Sequence, residues 1–351
     1  MRFRTLGTTG LEVSELGLGC QSLGGGLYYR NDREAIRTLH RAIDRGVNFF
    51  DVSDHHTQGV AERILGKAFH GRRRETIITT KAGYYYTPLG TLSLKTRHLV
   101  RPLSPLLRPF KRTLHMLRSS QGRYNFAGGY IKQAVERSLR RLQTDYIDLY
   151  QLYKPSVAIM KSAEFLDTLE TLEDLKRQGK LRHYGIACQW VEEAVHCLTL
   201  SGISTVQVAV NLIEPEALDA LIPHAVERRI AVIARHPRAI GLLTNAASDI
   251  MGDTSYYDQQ HEDREKQAQA FRFLIRQNRT LAQAAIQYAL GIPGIATVIP
   301  RAVNHEELDE NLGSLSVPSL TEAELARIAA LQSEAAAGRD EWRRIQPESG
   351  T

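Results

Sequence analysis

The residues best placed to carry chemistry come at the ends of short apolar segments. Asp51 ends VNFFD, Lys81 ends TIITTK and Tyr153 ends YIDLYQLY. An ammonium held beside a carboxylate can lower the pKa of a neighbouring phenol or imidazole. The same two charges could instead form a structural ion pair between strands, and Tyr153 could be an ordinary half-buried tyrosine. The residue types therefore suggest proton transfer without establishing it.

The turn after Asp51 contains two adjacent histidines, His55 and His56. An imidazole has an ordinary pKa of about 6.5, so it can exchange a proton near neutrality. With Asp54 the two histidines could also ligate a metal. However, adjacent histidines in one turn point in different directions, and no spaced third ligand is evident. We therefore expect no metal site here.

These side chains need a scaffold, and the sequence predicts one from its alternating segments. After an opening hairpin around Thr8, Thr9 and Gly10, eight strand-like segments alternate with helix-like segments. This alternation indicates parallel β/α units, and eight units predict an α/β fold closed as a (β/α)8 TIM barrel. A doubly wound sheet is the alternative, but no GxGxxG or P-loop follows any strand. In a barrel, residues at the carboxyl ends of the strands share one mouth.

The domain organisation follows from the same pattern. The 351 residues predict a single barrel domain over residues 1–335 and a tail at residues 336–351. The chain between the third strand and its helix is long, so we expect an insertion at residues 84–127.

The net charge of +6 is concentrated in residues 94–123, which contain eight lysines or arginines and no acidic residue. Taking those eight from the total of 45 leaves 37 basic residues against 39 acidic ones. A basic surface loop capping the barrel mouth would favour an anionic substrate. Contact with nucleic acid or an anionic membrane is the alternative, since leucines interleave with the charges. We expect neither of those partners.

The expected compartment is the cytoplasm. The cysteines Cys20, Cys188 and Cys197 are odd in number and lack ligand-like spacing, which argues against a disulfide scaffold. No apolar run reaches membrane-spanning length, and MRFRTLGTTG lacks the apolar core of a signal peptide.

Several motifs occur together in an order and spacing that resemble a known family. They are RTLGTTGLEVSELGLG, NFFD, AERILGKAF, IITTK, ERSLRRLQTDYIDLYQL and ENLGSL. In these motifs the chain resembles the aldo-keto reductases over nearly its whole length. The resemblance implies a barrel that transfers hydride between NADP(H), less often NAD(H), and a carbonyl or alcohol. It also implies catalysis without metal, by a tyrosine assisted by lysine, aspartate and histidine.

The family's catalytic tetrad matches this sequence only in part. Asp51 and Lys81 match the aspartate and the lysine. His56 stands where the family has its tyrosine, and Tyr153 stands where it has its histidine. The exchange has three interpretations: a reductase with altered roles, a redox-neutral lyase, dehydratase or epimerase, or a non-catalytic binding protein. We favour the first, with Asp51, His56, Lys81 and Tyr153 as catalytic residues.

The cofactor positions also match in part. Gln207 and Asn311 match family residues, whereas Cys188 replaces an asparagine and Arg301 could take over a 2′-phosphate contact. We expect NADP(H), with NAD(H) as the alternative, and a polar, anionic or sugar-like substrate bound by His55, Tyr84 and Tyr85. The expected cofactor-binding residues are Gln21, Asp51, Cys188, Gln189, Gln207, Pro237, Arg238, Gly241, Leu242, Arg301, Glu307 and Asn311.

Overall fold

A computed structural model describes residues 1–23, 32–86, 122–244, 261–302 and 304–345. Within these ranges, eight parallel strands form one sheet, in which they lie side by side in the order of the chain. Backbone bridges between Leu16 and Val298 and between Gly19 and Arg301 join the first and last strands. The sheet is therefore closed into a barrel, and the predicted (β/α)8 fold is confirmed.

The strand bounds are Phe3–Thr5 (β1), Glu12–Ser14 (β2), Leu18–Gly19 (β3), Phe49–Asp51 (β4), Ile77–Ala82 (β5), Tyr84–Tyr86 (β6), Gly122–Tyr124 (β7), Ile147–Tyr153 (β8), Leu181–Ala187 (β9), Thr205–Ala209 (β10), Ala231–Arg235 (β11) and Ile295–Ile299 (β12). The helix bounds are Asp32–Asp44 (α1), Val60–Phe69 (α2), Gly128–Leu142 (α3), Val157–Met160 (α4), Ala163–Arg177 (α5), Val191–Cys197 (α6), Ala217–Ala220 (α7), Ile222–Glu227 (α8), His261–Ala270 (α9), Leu281–Gly291 (α10), His305–Gly313 (α11) and Glu322–Ile345 (α12).

The barrel strands read as continuous apolar runs because both of their faces are buried. Inside the barrel, Phe49, Leu149 and Ile233 pack together, and none of them is exposed to solvent. Leu6 and Val13 of the antiparallel β1–β2 hairpin join this cluster and close the barrel end opposite the mouth. The opening hairpin predicted from the sequence is therefore confirmed, and its position leaves the mouth open for chemistry.

Some helices begin at a side-chain cap. Thr280 and Gln283 form a reciprocal capping box at the start of α10. The segment ALDALIPHAVERR forms two short helices, α7 and α8. Pro223 lies in the first turn of α8, where its missing N–H costs nothing, but it could not continue α7.

The insertion leaves the barrel through a two-stranded antiparallel ribbon. Tyr84 pairs with Tyr124 and Tyr86 with Gly122, which links β6 to β7. Residues 87–121, with most of the basic stretch at 94–123, lie outside the described residues. At the other end of the chain α12 continues through Ile345, across the expected boundary at residue 335. That boundary stays a prediction.

None of the helices in the described ranges combines the length and apolar character needed to cross a membrane.

Helix α2 positions the turn after β4 through close contact with α3. Its buried Glu62 accepts hydrogen bonds from Thr80 Oγ1 of β5, at 2.7 Å, and from Arg141 Nε of α3. Gly66 lies so near the end of α3 that a Cβ there would come within 2.7 Å of the Arg141 carbonyl oxygen. A backbone atom cannot move aside as a flexible side chain can, so this helix pair requires a glycine.

We expect Gly66→Ala to destabilise the protein by about 2 kcal/mol, because the added methyl group would force α2 away from α3. Gly129→Ala is the matched control, since a Cβ at Gly129 meets no atom within 4 Å. Urea denaturation of both variants measures the difference. Equal midpoints for Gly66→Ala and the native protein would show that the two helices separate without cost.

Candidate active site

A buried polar cluster at the barrel mouth links three strands. Lys81 Nζ donates to Asp51 Oδ1 at 2.6 Å and to the Val52 carbonyl at 2.9 Å. Gln207 Nε2 donates to the same Asp51 oxygen at 2.8 Å. Burial lowers the pKa of Lys81, and the charge of Asp51 partly opposes that effect. Asp51, Lys81 and Gln207, which the sequence placed on separate strands, therefore meet in one hydrogen-bonded group.

The turn after Asp51 has an unusual backbone conformation. Thr57 and Gln58 have φ values of 48° and 56°, in the left-handed region that residues with a side chain seldom adopt. Gly59 follows with φ of 78°, and a Cβ there would meet the Arg141 side chain at 2.6 Å. The strained backbone thus follows His55 and His56 directly in the chain.

The two histidines occupy different positions in an aromatic cluster. The His55 ring centroid lies 4.7 Å from that of Tyr153 and 5.2 Å from that of Tyr84. His56 packs edge-on against His55, with centroids 4.6 Å apart. The histidine ring in contact with Tyr153 is therefore His55, the residue that the sequence assigned to substrate binding.

Tyr84 and Tyr85 of the ribbon diverge because successive side chains of a strand point to opposite faces. Tyr84 joins the cluster with His55 and Tyr153, and it crosses Gly122, where a Cβ would lie 1.9 Å from its hydroxyl oxygen. Tyr85 instead contacts Tyr130, and 37% of its surface is exposed. The structure thus brings Tyr84 to the mouth but not Tyr85.

Burial keeps both imidazoles of the turn neutral. It lowers the pKa of His55 to about 3, and the nearby charges of Lys154 and Lys81 add to this effect. The pKa of His56 is also well below its usual value, first because of burial and then because of His55 and Lys81. An imidazolium, the acid considered from the sequence, is therefore unfavourable at neutral pH.

Asp54 is a buried carboxyl group that the sequence suggested only as a metal ligand. Burial raises its pKa to about 8, and the charge of Glu62 adds to this effect. Its Oδ1 atom has no hydrogen-bond partner among the described residues. Asp54 therefore carries a proton at neutral pH, directly beside the two histidines.

The loop after β11 is a series of tight turns with a left-handed backbone. His236, Ala239 and Ile240 have φ values of 54°, 46° and 57°, and Gly241 has 108°. The backbone N–H groups of Ala239, Gly241 and Leu242 donate to carbonyl oxygens of the same loop, which holds these turns in place. Pro237 and Leu242 are buried in this loop.

Arg238 joins the β11 loop to the β12 loop. It donates to the Arg301 carbonyl at 2.7 Å and contacts Glu307 Oε2 at 3.3 Å. Asn311 Nδ2 donates to the same Arg301 carbonyl at 2.9 Å. Arg238, Arg301, Glu307 and Asn311 are therefore brought together at one edge of the mouth.

Two expected cofactor contacts have buried acceptor atoms without a partner among the described residues. They are Oε1 of Gln189 and Oδ1 of Asn311. An unsatisfied buried acceptor costs free energy unless a ligand or water pairs with it. Both residues therefore fit a cofactor with hydrogen-bond donors, such as the amide and amine groups of a nicotinamide dinucleotide.

Three other positions fit the cofactor less well. The Cys188 thiol lies 3.5 Å from Cys197 Sγ of α6, in the core outside the barrel, so its side chain does not face the mouth. Gln207 uses its amide donor on Asp51. Gln21 is exposed after β3.

Arg235 is a charged residue of the mouth that sequence reasoning missed. It ends β11, is 8% exposed, and donates to the Cys188 carbonyl at 2.8 Å and to His236 Nδ1 at 3.1 Å. Its charge contributes to the lowered pKa of Lys81. The available signal was an arginine ending the otherwise apolar segment IAVIAR.

Among the residues that the structure describes, no group of three or more histidines, cysteines or acidic residues is arranged to hold a metal ion.

The family can now be assigned from comparisons with known proteins. The model of the aldo/keto reductase family matches residues 15–333, so the chain belongs to this family. The uncharacterized oxidoreductase YqkF of Bacillus subtilis is 32% identical over 338 residues, 95% of this chain and 96% of that protein. The predictions of the family and of an oxidoreductase are thereby confirmed.

Solved structures agree with this assignment. The holo form of aldo-keto reductase AKR11C1 from Bacillus halodurans matches with a TM-score of 0.71 and 29% identity, covering 94% of this chain and 96% of that one. An aldo/keto reductase from Klebsiella pneumoniae, in complex with NADP and acetate, shares the fold with a TM-score of 0.65 and 22% identity, covering 95% and 96%.

The raised pKa of Asp54 predicts how the stability of the folded protein changes with pH. Unfolded Asp54 ionises near pH 4, whereas the folded residue keeps its proton to about pH 8. Between these values the folded state binds more protons, so this residue's contribution to stability falls as the pH rises. We expect Asp54→Asn to become more stable relative to the native protein from pH 5 to pH 8, by about 2 kcal/mol or more. Chemical denaturation at each pH measures this difference.

Asp167→Asn, at an exposed position of α5, is the control and should leave the difference constant with pH. A flat difference for Asp54→Asn as well would mean that Asp54 is ionised in the folded protein.

Proposed function

We propose that this protein is an NADP(H)-dependent oxidoreductase that reduces a carbonyl group, or oxidises the matching alcohol, of a polar, anionic or sugar-like molecule. The observation that carries the proposal is the buried Asp51–Lys81–Gln207 cluster, which shares the barrel mouth with the adjacent rings of Tyr153 and His55. A protonatable aromatic group beside a fixed ammonium is what proton transfer to a carbonyl oxygen requires.

Tyr153 is the proton donor in this proposal. A phenol has an ordinary pKa of about 10, so it holds a proton to give at neutral pH. His56 stands at the family's tyrosine position, but its imidazole is buried and neutral, which makes it a weak acid. The exchanged residues thus carry exchanged roles: Tyr153 gives the proton and the histidines shape the pocket.

The residues of the β11 and β12 loops would hold the cofactor, which when bound supplies or accepts the hydride. The loop of Pro237 to Leu242 is proposed to lie against the pyrophosphate, as its resemblance to the family's loop implies, and Asn311 Oδ1 suits the adenine amine. Gln189 Oε1 suits the carboxamide of the nicotinamide. The NADP complex of the Klebsiella barrel supports this choice of cofactor.

NADP(H) is favoured over NAD(H) because arginines gather at the adenine end. Arg238 is partly neutralised by Glu307, whereas Arg301 lies half-buried at the junction of β3 and the β12 loop. A guanidinium forks onto a phosphate through two donors, so Arg301 is proposed to bind the 2′-phosphate.

We expect Arg301→Leu to weaken NADPH binding about 10-fold to 100-fold and to leave NADH binding nearly unchanged, because only NADPH has the 2′-phosphate. Quenching of protein fluorescence during titration gives both dissociation constants. Arg63→Leu, an exposed arginine of α2, is the control. Equal losses of affinity for NADPH and NADH in Arg301→Leu would show that Arg301 does not bind the 2′-phosphate. If the native protein bound neither cofactor, the proposal of a nicotinamide cofactor would be wrong.

We expect Tyr153→Phe to lower kcat for carbonyl reduction by about 100-fold or more, with the cofactor dissociation constant unchanged, because the variant loses the donated proton. Tyr85→Phe is the matched control, since Tyr85 lies on the outer face of the ribbon. Reduction of a panel of aldehydes, ketones and keto acids, followed by nicotinamide absorbance, measures the effect.

Two results would contradict the assignment of a reductase. Conversion of a substrate without net change in nicotinamide absorbance would indicate a redox-neutral lyase, dehydratase or epimerase. Binding of a ligand that is unaffected by Tyr153→Phe, with no turnover, would indicate a non-catalytic protein.

A further inference from the structure

A groove of about 600 Å³ opens on the face of the barrel opposite the mouth. Its lining includes the side chains of Lys176, Arg182 and His183. Strand β9 runs from Leu181 at the groove to Ala187 at the mouth, and a strand of this length spans about 20 Å. The groove is therefore distant from the proposed active site.

Two arginines pack against the ring of Tyr146 beside the groove, and they differ in their hydrogen bonds. The guanidinium carbons of Arg73 and Arg182 each lie 4.1 Å from the ring centroid. Arg73 donates four hydrogen bonds, one of them to Asp148 Oδ2 at 2.6 Å. Among the residues that the structure describes, Arg182 donates one, from Nη1 to Asp148 Oδ1 at 3.0 Å. Nε and Nη2 of Arg182 therefore remain for a ligand in the groove.

The positive charge around the groove is only partly balanced. Asp148 is 1% exposed and pairs with both arginines, so one carboxylate faces two guanidinium groups. Lys176 adds a third positive charge. Its ion pair with Glu173, at 3.5 Å, is weak because both side chains are more than one-third exposed. Three cations therefore meet two carboxylates, and the groove keeps a net positive charge.

The pKa of His183 depends on the charges at the groove. Burial lowers the pKa of His183, and the charges of Lys176 and Arg182 lower it further. Asp148 and a hydrogen bond with the backbone of Thr9 act in the opposite direction. A bound anion would offset the two cations, so it would raise this pKa.

We propose that this groove is a second ligand site, which binds a phosphate-type oxyanion through Arg182 and Lys176. Contact with Tyr146 and Asp148 holds the guanidinium of Arg182 in one orientation. Its Nε and Nη2 groups form the two-donor fork that matches a phosphate. The volume is in the range of sites for small organic molecules, so a phosphate ester fits as well as a free ion. This inference does not depend on the proposed function.

The first test measures the pKa of His183 by NMR titration of the histidine ring signals, in chloride and in sulfate at equal ionic strength. Sulfate is the probe because its charge stays constant over the titrated range, unlike that of phosphate. The signal missing from His183→Gln identifies the residue. We expect sulfate to raise the pKa of His183 by about 0.5 or more. An unchanged pKa overturns the proposal.

The second test identifies the groups that hold the anion, with the His183 signal as the readout of sulfate binding. We expect Arg182→Leu to weaken binding at least about 10-fold, because the fork is lost. Lys176→Met leaves the contact of Arg182 with Tyr146 in place and should weaken binding about 3-fold to 10-fold, which decides the matter if Arg182→Leu does not fold. Arg177→Leu is the matched control, since Arg177 is exposed on the same helix and does not line the groove. An equal loss in Arg177→Leu would indicate general attraction to a basic surface and overturn the proposal.

Phenyl phosphate, compared with sulfate through the same signal, distinguishes the two forms of the ligand. Tighter binding of phenyl phosphate that is lost in Arg182→Leu supports an organic phosphate, and equal binding supports a free oxyanion. Both measurements are made on the opposite face from the mouth and need no cofactor. A protein that reduces no carbonyl would therefore refute the proposed function and leave this site unaffected.

Discussion

The site depends on one buried ion pair, between Lys81 and Asp51. Removing two charges from water costs several kcal/mol each, and their attraction repays this only with good geometry and further hydrogen bonds. Here the Val52 carbonyl and the Gln207 amide supply those bonds. Because the partners come from three strands, the pair exists only when the barrel is closed with the correct register. Folding and assembly of the site are therefore one event.

A second buried charge cluster holds the histidine turn against this pair. Glu62 receives hydrogen bonds from Thr80, the residue before Lys81, and from Arg141. These hydrogen bonds fix the position of α2 relative to β5 and α3. The turn from Asp51 at the end of β4 to Val60 at the start of α2 must therefore span a fixed distance. Thr57 and Gln58 adopt left-handed backbone conformations, which allow the turn to span this distance. The strain is offset by the Glu62 contacts and by the packing of Gly66 against α3.

The sequence predicted the scaffold well but the ring contacts less well, and the reason is physical. Apolar runs predict the barrel strands. Residues at the carboxyl ends of these strands share one mouth, whatever the conformation of the individual loops. The direction of a side chain depends on finer features. His55 rather than His56 meets Tyr153 because of the backbone at Thr57 and Gln58, which no residue pattern specifies. Tyr84 rather than Tyr85 faces inward because of the β6–β7 register, which a shift of one residue would reverse.

The electrostatics of the mouth favour a tyrosine over a histidine as the proposed acid. Burial is the main cause that lowers the pKa of His236 and of His55. The charges of Arg235, Lys154, Arg301 and Lys81 add to this effect at His236, and those of Lys154 and Lys81 add to it at His55. A pocket with this field favours anionic groups, such as the phosphates of a dinucleotide or an acidic substrate. The same field opposes a positive imidazole, so a histidine here can give a hydrogen bond but is a poor source of a proton. The surrounding cations do not repel a neutral phenol. When the phenol gives up its proton it becomes negative, and the cations then stabilise it. The exchange of histidine and tyrosine is thus consistent with the charge of the pocket, in which Tyr153 can act as the acid and the neutral histidines shape the site.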